Sequence, residues 1–417
     1  MNPVSVIQVP RRFVTSDWGG TETLVLETTA RLRGRGHDAE IWCPDALGGA
    51  PCDELRGVPI RRFPYFYPYL GLSADARRQL DLAGGNLFSF SLLAALQKRP
   101  RLDLVHLHTG KRLGGIARHV ARQRGIPYVV SLHGGVVDVP AAEAERLVAR
   151  TGRALEWGRL LGWWVGSRRV LDDAAAVLCV SEAEARALAG QMPGKRVVHL
   201  PNGVDPERFR RGDRAAFRAA HGIPRAARVI LVVGRLDPQK NQELALRAFG
   251  VLATRHPDLH LVLLGHVTDP AYAEALRAQV AASGLSSRVT LIPGLPAAGP
   301  GVVDAYHAAD VLLLPSNHEP FGIVILEAWA AGLPVVASRV GGIPGFVEHE
   351  LDGRLVTPGD QPGFVAALEG LLANPDAARS LALAGQRKAR ERYAWEVVTD
   401  RLLTLYEDVL REHPRRA

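Results

Sequence analysis

At 417 residues, 47% of them apolar, the chain has material for two hydrophobic cores of about 200 residues each and is excluded from the disordered class. Three cysteines, Cys43, Cys52 and Cys179, with no CxxC, exclude a disulfide scaffold and point to a reducing compartment. The formal charge of +8 is interleaved with acidic residues, which describes a basic surface suited to phosphate-bearing partners rather than a polyanion groove.

The N-terminus, MNPVSVIQVPRRF, reaches arginines too soon for a signal peptide. No run approaches the roughly 18 apolar residues of a membrane span, so a cytoplasmic protein is expected, with peripheral contact at the inner face of the plasma membrane left open. SVIQVP reads as the first strand. WGGTETLVLETTARLRGRGH follows as a helix, with Leu24, Glu27, Thr28 and Leu32 at helical spacing. AEIWCP, LVHLHTG, YVVSLHGG, AVLCVS and RVVHLPNG are further short apolar runs ending in turn residues. This βα alternation predicts a parallel sheet covered on both faces.

The second half repeats the pattern through VILVVGRL, HLVLLGH, VTLIPG, VLLLPS and PVVAS. The Gly, Pro and charge density of LPNGVDPERFRRGD sets a boundary near 200–212. The expected fold class is thus α/β, with an N-terminal Rossmann-like domain over 1–200 and a C-terminal one over 201–392. A closing amphipathic helix, 393–412, would complete the first domain, with Tyr393, Trp395, Val398, Leu402, Leu405 and Tyr406 on one stripe. Two such sheets would leave a cleft bordered by the C-terminal ends of strands, where ligands bind in such folds.

Polar residues gather at those strand ends. In GRLDPQKN, Arg235 and Lys240 fall at the start of a helix, whose N–H groups and dipole already favour a phosphate. The GxxxxGK[ST] loop of ATP hydrolases does not occur. In SNHEPFGIVILEAWAAG, Glu319 lies in a loop and Glu327 inside a helix from Ile323 to Ala331. The helical rise puts them about 10 Å apart, beyond the roughly 5–9.5 Å of paired glycosidase carboxylates. They are expected to hold hydroxyls on two parts of one extended ligand, while the backbone N–H groups of Phe321, Gly322 and Ile323 face a phosphate. Gly19 and Gly20 either let the backbone approach a ligand or make a tight turn. His133, at a strand end, is expected to donate to a phosphate or a sugar hydroxyl, and His106 to be core. The histidines lack the partners of a zinc site. RRFPYFYPYLG and ALEWGRLLGWWVG are rich in aromatics, read as an acceptor platform, a bilayer contact or a buried cluster. Without RNP motifs or Cys/His fingers, no nucleic-acid partner is expected.

Taken in order, Gly19-Gly20, His133 in SLHGG, PNGVD at 201–205, Arg235 and Lys240 in GRLDPQKN, Glu319-Pro-Phe-Gly…Glu327, Gly341-Gly342 and the tryptophan-bearing last helix resemble the retaining, GT-B fold glycosyltransferases of family GT4, glycosyl transferases group 1. The resemblance covers nearly the whole chain. It implies that the C-terminal domain holds a nucleotide-sugar donor, with Arg235 and Lys240 on its diphosphate, Glu327 on the ribose and Glu319 on the donor sugar. Gly19 and Gly20 would approach the phosphates, and His133 the sugar or phosphate. No cofactor and no metal would be required. The acceptor would be a hydroxyl of a glycan, a lipid-linked molecule or a small molecule, in cell-envelope or exopolysaccharide synthesis. Where many members read Lys-Gly, this chain has Lys240-Asn241; Asn can cap a helix or adopt a left-handed conformation. An epimerase acting on a nucleotide sugar, or a sugar-phosphate synthase or phosphorylase, shares the architecture and stands as the alternative. A non-enzymatic carbohydrate-binding scaffold would not need these cations and carboxylates together.

Overall fold

The computed structural model describes residues 3–15, 18–134, 155–296 and 299–414. They form two compact units, Met1–Pro201 with Val398–Ala417, and Asn202–Val397.

In the first unit the strands in chain order are β1 Ser5–Val9, β2 Asp38–Pro44, β3 Cys52–Leu55, β4 Val58–Phe63, β5 Tyr69–Leu70, β6 Leu104–Leu107, β7 Tyr128–Leu132, β8 Leu155–Glu156, β9 Ala176–Cys179 and β10 Val197–His199. Eight of them form one sheet in the order β10-β9-β7-β6-β1-β2-β4-β3, parallel except for β3, while β5 and β8 pair separately. All five residues of β1 are buried, as a strand covered on both faces requires. The chain leaves β1 towards β2 and β4 on one side and towards β6, β7 and β9 on the other. The sheet order therefore reverses between β1 and β6, the place where such folds take ligands.

Two strands of this sheet, β3 and β4, went unread in the sequence. Arginines and Pro59 obscure their alternation. Their connection was legible, however: Leu55 pairs with Val58, and Arg56 and Gly57 between them have φ of +53° and +76°. That is the two-residue hairpin turn with both central residues left-handed.

The helix read after the first strand runs Gly20–Gly34, and Leu24, Glu27, Thr28 and Leu32 are all buried. The last helix, Trp395–Glu412, starts two residues later than expected, so Tyr393 caps the preceding helix, Pro375–Arg392; of the expected stripe Val398, Leu402 and Tyr406 are fully buried, and Trp395 and Leu405 nearly so. It belongs to the second unit through Val397 and to the first from Val398.

The second unit holds β11 Arg228–Val233, β12 Leu259–Leu264, β13 Val289–Ile292, β14 Val311–Leu314, β15 Val335–Ser338 and β16 Arg354–Val356 in one parallel sheet, β13-β12-β11-β14-β15-β16. Only β16, three residues long and opened by an arginine, escaped the sequence reading. Here the order reverses between β11 and β14, so the loops that follow these two strands lie side by side.

Candidate active site

The loop after β11 carries both cations. The sequence reading put Arg235 and Lys240 at the helix start; the helix is Gln242–Arg255, so both stand in the loop before it. Asn241 is its N-cap, at φ +54°, and its side chain accepts from the Leu244 amide. Asn241 thus both takes the left-handed conformation and caps the helix. Asp237 shapes the loop. Its Oδ1 accepts from the Gln239 and Lys240 amides at 3.0 and 3.2 Å, and the Thr268 hydroxyl donates to its Oδ2. Arg235 donates to Gln239 at 3.0 Å, and its side chain is 54% exposed.

The loop after β14 is tied to the first. Asn317 N–H donates to the Gln239 carbonyl at 2.8 Å, Gln239 Nε2 to the His318 carbonyl at 3.0 Å, and Asn317 Nδ2 to the Pro238 carbonyl at 3.0 Å. Across this seam Lys240 Nζ meets Glu319 Oε2 at 2.5 Å, with both side chains largely buried. Ser316 Oγ lies 3.4 Å from the same oxygen. The Glu319 carbonyl accepts from the Gly342 amide at 3.0 Å. A Cβ on Gly341, which has φ +53°, would stand 2.0 Å from that carbonyl, so the Gly341-Gly342 pair permits the approach that locks the Glu319 loop.

Gly322, at φ +100°, is the N-cap of the helix Ile323–Ala330, one residue shorter than expected. The first N–H groups of a helix have no partner within it. The Phe321 ring stacks on Phe346 at 4.7 Å and fixes this start. Glu327, inside the helix and half-buried, accepts from the Tyr306 hydroxyl at 2.6 Å. Burial raises its carboxyl above the usual range, while Tyr306 and Arg208 pull the other way. The two glutamates have separate partners, Lys240 for Glu319 and the Tyr306 hydroxyl for Glu327.

In the first unit Gly19 is the exposed N-cap of the first helix and Gly20 opens it; the Gly19 amide donates to Glu22 at 3.1 Å. His133 follows β7, half-buried, with Nε2 3.0 Å from Nδ1 of His108. His106 is fully buried, as expected of a core residue. Gly135, the second glycine after His133, lies outside the described residues. A cavity where the sheet order reverses is lined by Arg11, Gly84, Gly85, Asn86, Thr109, Gly110 and Lys111. Burial and the neighbouring Arg11 hold the Lys111 amine below its ordinary range, and burial and Arg12 do the same for Arg11.

The sequence reading missed Tyr306, which is 21 residues from the carboxylate it holds and left no local signal. It also missed Asp237, whose place ahead of Pro238 was a legible turn signal. Among the described residues, no group of three or more His, Cys, Asp or Glu is arranged to hold a metal ion. None of the described helices is long and apolar enough to cross a membrane.

Comparison with known proteins gives concordant matches. The glycosyl transferases group 1 family profile matches residues 213–388, and that of Glycosyltransferase Family 4 matches 18–208. The chain is 31% identical to a D-inositol 3-phosphate glycosyltransferase of Saccharomonospora viridis, over 95% of this chain and 90% of the relative. It is 32% identical to the protein of the same name from Mycobacterium avium, over 96% and 91%. Among solved structures, sucrose-phosphate synthase from Thermosynechococcus elongatus superposes with a TM-score of 0.75 at 23% identity, over 98% of this chain and 100% of that one. Anabaena Alr3699/HepE in complex with UDP gives 0.73 at 20% identity, over 97% and 100%.

Proposed function

The chain belongs to glycosyltransferase family 4, has the GT-B fold and is a transferase, and on that premise we propose that it moves a sugar from a nucleoside-diphosphate sugar to a hydroxyl of a phosphate-bearing acceptor, with retention at the anomeric carbon. One observation carries the reading. Arg235, Lys240 and Glu319 stand on two hydrogen-bonded loops where the sheet order of the second unit reverses.

An ammonium has three donors, so Lys240 can keep Glu319 and still reach a phosphate oxygen. Glu319 retains lone pairs for hydroxyls of the donor sugar, and Glu327, steadied by Tyr306, takes the ribose diol. The diphosphate leaves with the electron pair of its bond to the anomeric carbon. Arg235, Lys240 and the N–H groups of 321–323 stabilise the charge that develops, so no metal and no cofactor are needed. The acceptor hydroxyl attacks from the face of the departing phosphate, whose oxygen takes its proton. Within the first unit, Gly19, Gly20 and His133 are the residues expected to meet substrate. The complexes of HepE with UDP and with UDP-glucose support a nucleotide-sugar donor.

For the acceptor, the cavity around Arg11 and Lys111 crowds two cations without a carboxylate among its lining residues, which suits an anion. The names of the relatives, which specify an inositol phosphate, support a phosphorylated polyol. Thermal-shift screening against UDP-, GDP- and ADP-sugars is expected to show stabilisation by one donor class. NMR of the reaction with polyol phosphates is then expected to show a new glycoside of unchanged anomeric configuration. Conversion of the donor with no acceptor present would favour the epimerase instead.

A second reading, a lipid-linked acceptor in envelope or exopolysaccharide synthesis met from the cytoplasmic side, has its own observation. Leu155, Trp157, Leu160, Trp163 and Trp164 are exposed, the last three on the helix Arg159–Trp164, beside exposed Arg159, Arg168 and Arg169. Aromatic rings flanked by arginines suit an anionic bilayer surface. On this reading the chain co-sediments with phosphatidylglycerol-containing vesicles, and a Trp163→Ser/Trp164→Ser variant does not. Equal recovery of both proteins with the vesicles, or of neither, removes it.

A further inference from the structure

Six side chains of the first unit form one continuous hydrogen-bonded chain that ends at His133. Gln8 of β1, His106 of β6 and Ser131 of β7 come from three adjacent strands, with Gln8 in register with His106. His108 and His133 each stand one residue beyond their strand, and Tyr406 comes from the last helix. From one end, Ser131 Oγ is 2.7 Å from His106 Nε2, and His106 Nδ1 is 2.6 Å from the Tyr406 hydroxyl. Gln8 Nε2 lies 3.3 Å from that hydroxyl, Gln8 Oε1 2.7 Å from His108 Nε2, and His108 Nδ1 3.0 Å from His133 Nε2. Gln8, His106 and Tyr406 are fully buried.

The Gln8 amide lies with Nε2 towards Tyr406 and Oε1 towards His108, and this orientation sets the direction of the bonds it makes. Its oxygen can only accept, so His108 carries its proton on Nε2 and presents a bare Nδ1. His133 must then donate from Nε2. Its nitrogen can only donate, so Tyr406 accepts from Gln8, while towards His106 its hydroxyl can give or take the proton according to the His106 tautomer. Burial keeps the rings neutral: His106 is pulled down to about 3 and His133 to about 4, and His108 is held well below its ordinary value. The titratable groups facing His108 are His106, His133 and, through Gln8, Tyr406; among the described residues only the two histidines contribute a charge to it.

We propose that Gln8, His108 and Tyr406 are positioning residues that hold His133 as the Nε2–H tautomer, so that its Nδ1 accepts a hydrogen bond from a substrate hydroxyl instead of donating to a phosphate. This rests on the sugar-transfer reading above and reverses the polarity that the sequence suggested for His133. It also gives a chemical role to a tyrosine on the last helix that sequence pattern marks only as part of an apolar stripe.

The direct test is nitrogen-15 NMR of histidine-labelled protein, with the His133 signals identified by their loss in His133→Ala. Protonated Nε2 and bare Nδ1 are expected at neutral pH. Protonation on Nδ1 overturns the proposal. The kinetic test is Gln8→Glu. A carboxylate there raises the basicity of His108. Once charged, His108 donates from Nδ1, and His133 must move its proton from Nε2 to Nδ1. That form prevails below the raised His108 pKa and vanishes as pH rises through it. The variant is therefore expected to lose about tenfold or more in kcat on the acidic side and to recover on the alkaline side, a limb absent from the natural protein. A pH profile parallel to that of the natural protein overturns the proposal. Because NMR requires no turnover, an Nε2 proton found in a protein that transfers no sugar would sink the transfer reading while leaving the tautomer assignment intact.

Discussion

Replacing Lys240 with methionine is expected to lower kcat/KM by about 10²–10³-fold and also to destabilise the second unit by about 3 kcal/mol. On the proposed assignment, the first effect is the loss of a fixed positive charge where the leaving diphosphate develops its own. The second comes from Glu319, whose side chain is only 9% exposed and would keep its carboxylate with no cation against it. The two effects separate in the double variant Lys240→Met/Glu319→Gln. Removing both charges relieves the unpaired carboxylate, so the melting temperature should return most of the way, while activity stays low. Arg235→Ala provides the contrast. Its side chain is half exposed and touches Gln239 and Asp237, so turnover should fall with little change in melting temperature. If either cation can be removed with kcat kept within about threefold, less than 1 kcal/mol of barrier, the assignment of these loops to the diphosphate is wrong.

The sequence disclosed these residues because each falls at a βα junction, where strand, turn residue and helix follow within a few positions. Arg235, Lys240 and Glu319 were visible for that reason, and so were the strands of the second sheet, buried on both faces and nearly unbroken in apolar residues. What stayed hidden depends on contacts between distant segments. The tie between the Gln239 and Asn317 loops follows from β11 and β14 being neighbours, and no local pattern encodes strand order. Tyr306 is apolar periodicity in the sequence and a hydrogen-bond donor to Glu327 in the structure. Gln8 reads as one polar position within a buried strand, and its meaning appears only with His108 and Tyr406 beside it. The hairpin at Arg56-Gly57 differs, since its turn was legible and was overlooked among arginines.

Glu327→Gln is expected to weaken the enzyme and stabilise the fold at once. Burial raises the Glu327 carboxyl above its unfolded value, so holding it ionised in the folded chain costs stability wherever the pH lies above the folded pKa. That cost disappears as pH falls through the folded pKa, because the folded state then takes up the proton more readily than the unfolded one. Glutamine has no charge to desolvate, and its oxygen can still accept from Tyr306, which now donates at 2.6 Å. At neutral pH the variant should gain about 1 kcal/mol, a rise of about 2–4 °C in melting temperature, and the gain should shrink on acidification. A carboxylate that accepts from a ribose diol makes charge-assisted bonds that an amide replaces only in part, so the KM for the donor should rise about tenfold. The ribose lies away from the bond that breaks, so kcat should change by less than about threefold, unlike the Lys240 variant. A fall in kcat with KM unchanged would put Glu327 at the reacting centre instead. A stability gain independent of pH would mean that the carboxylate is not the strained group.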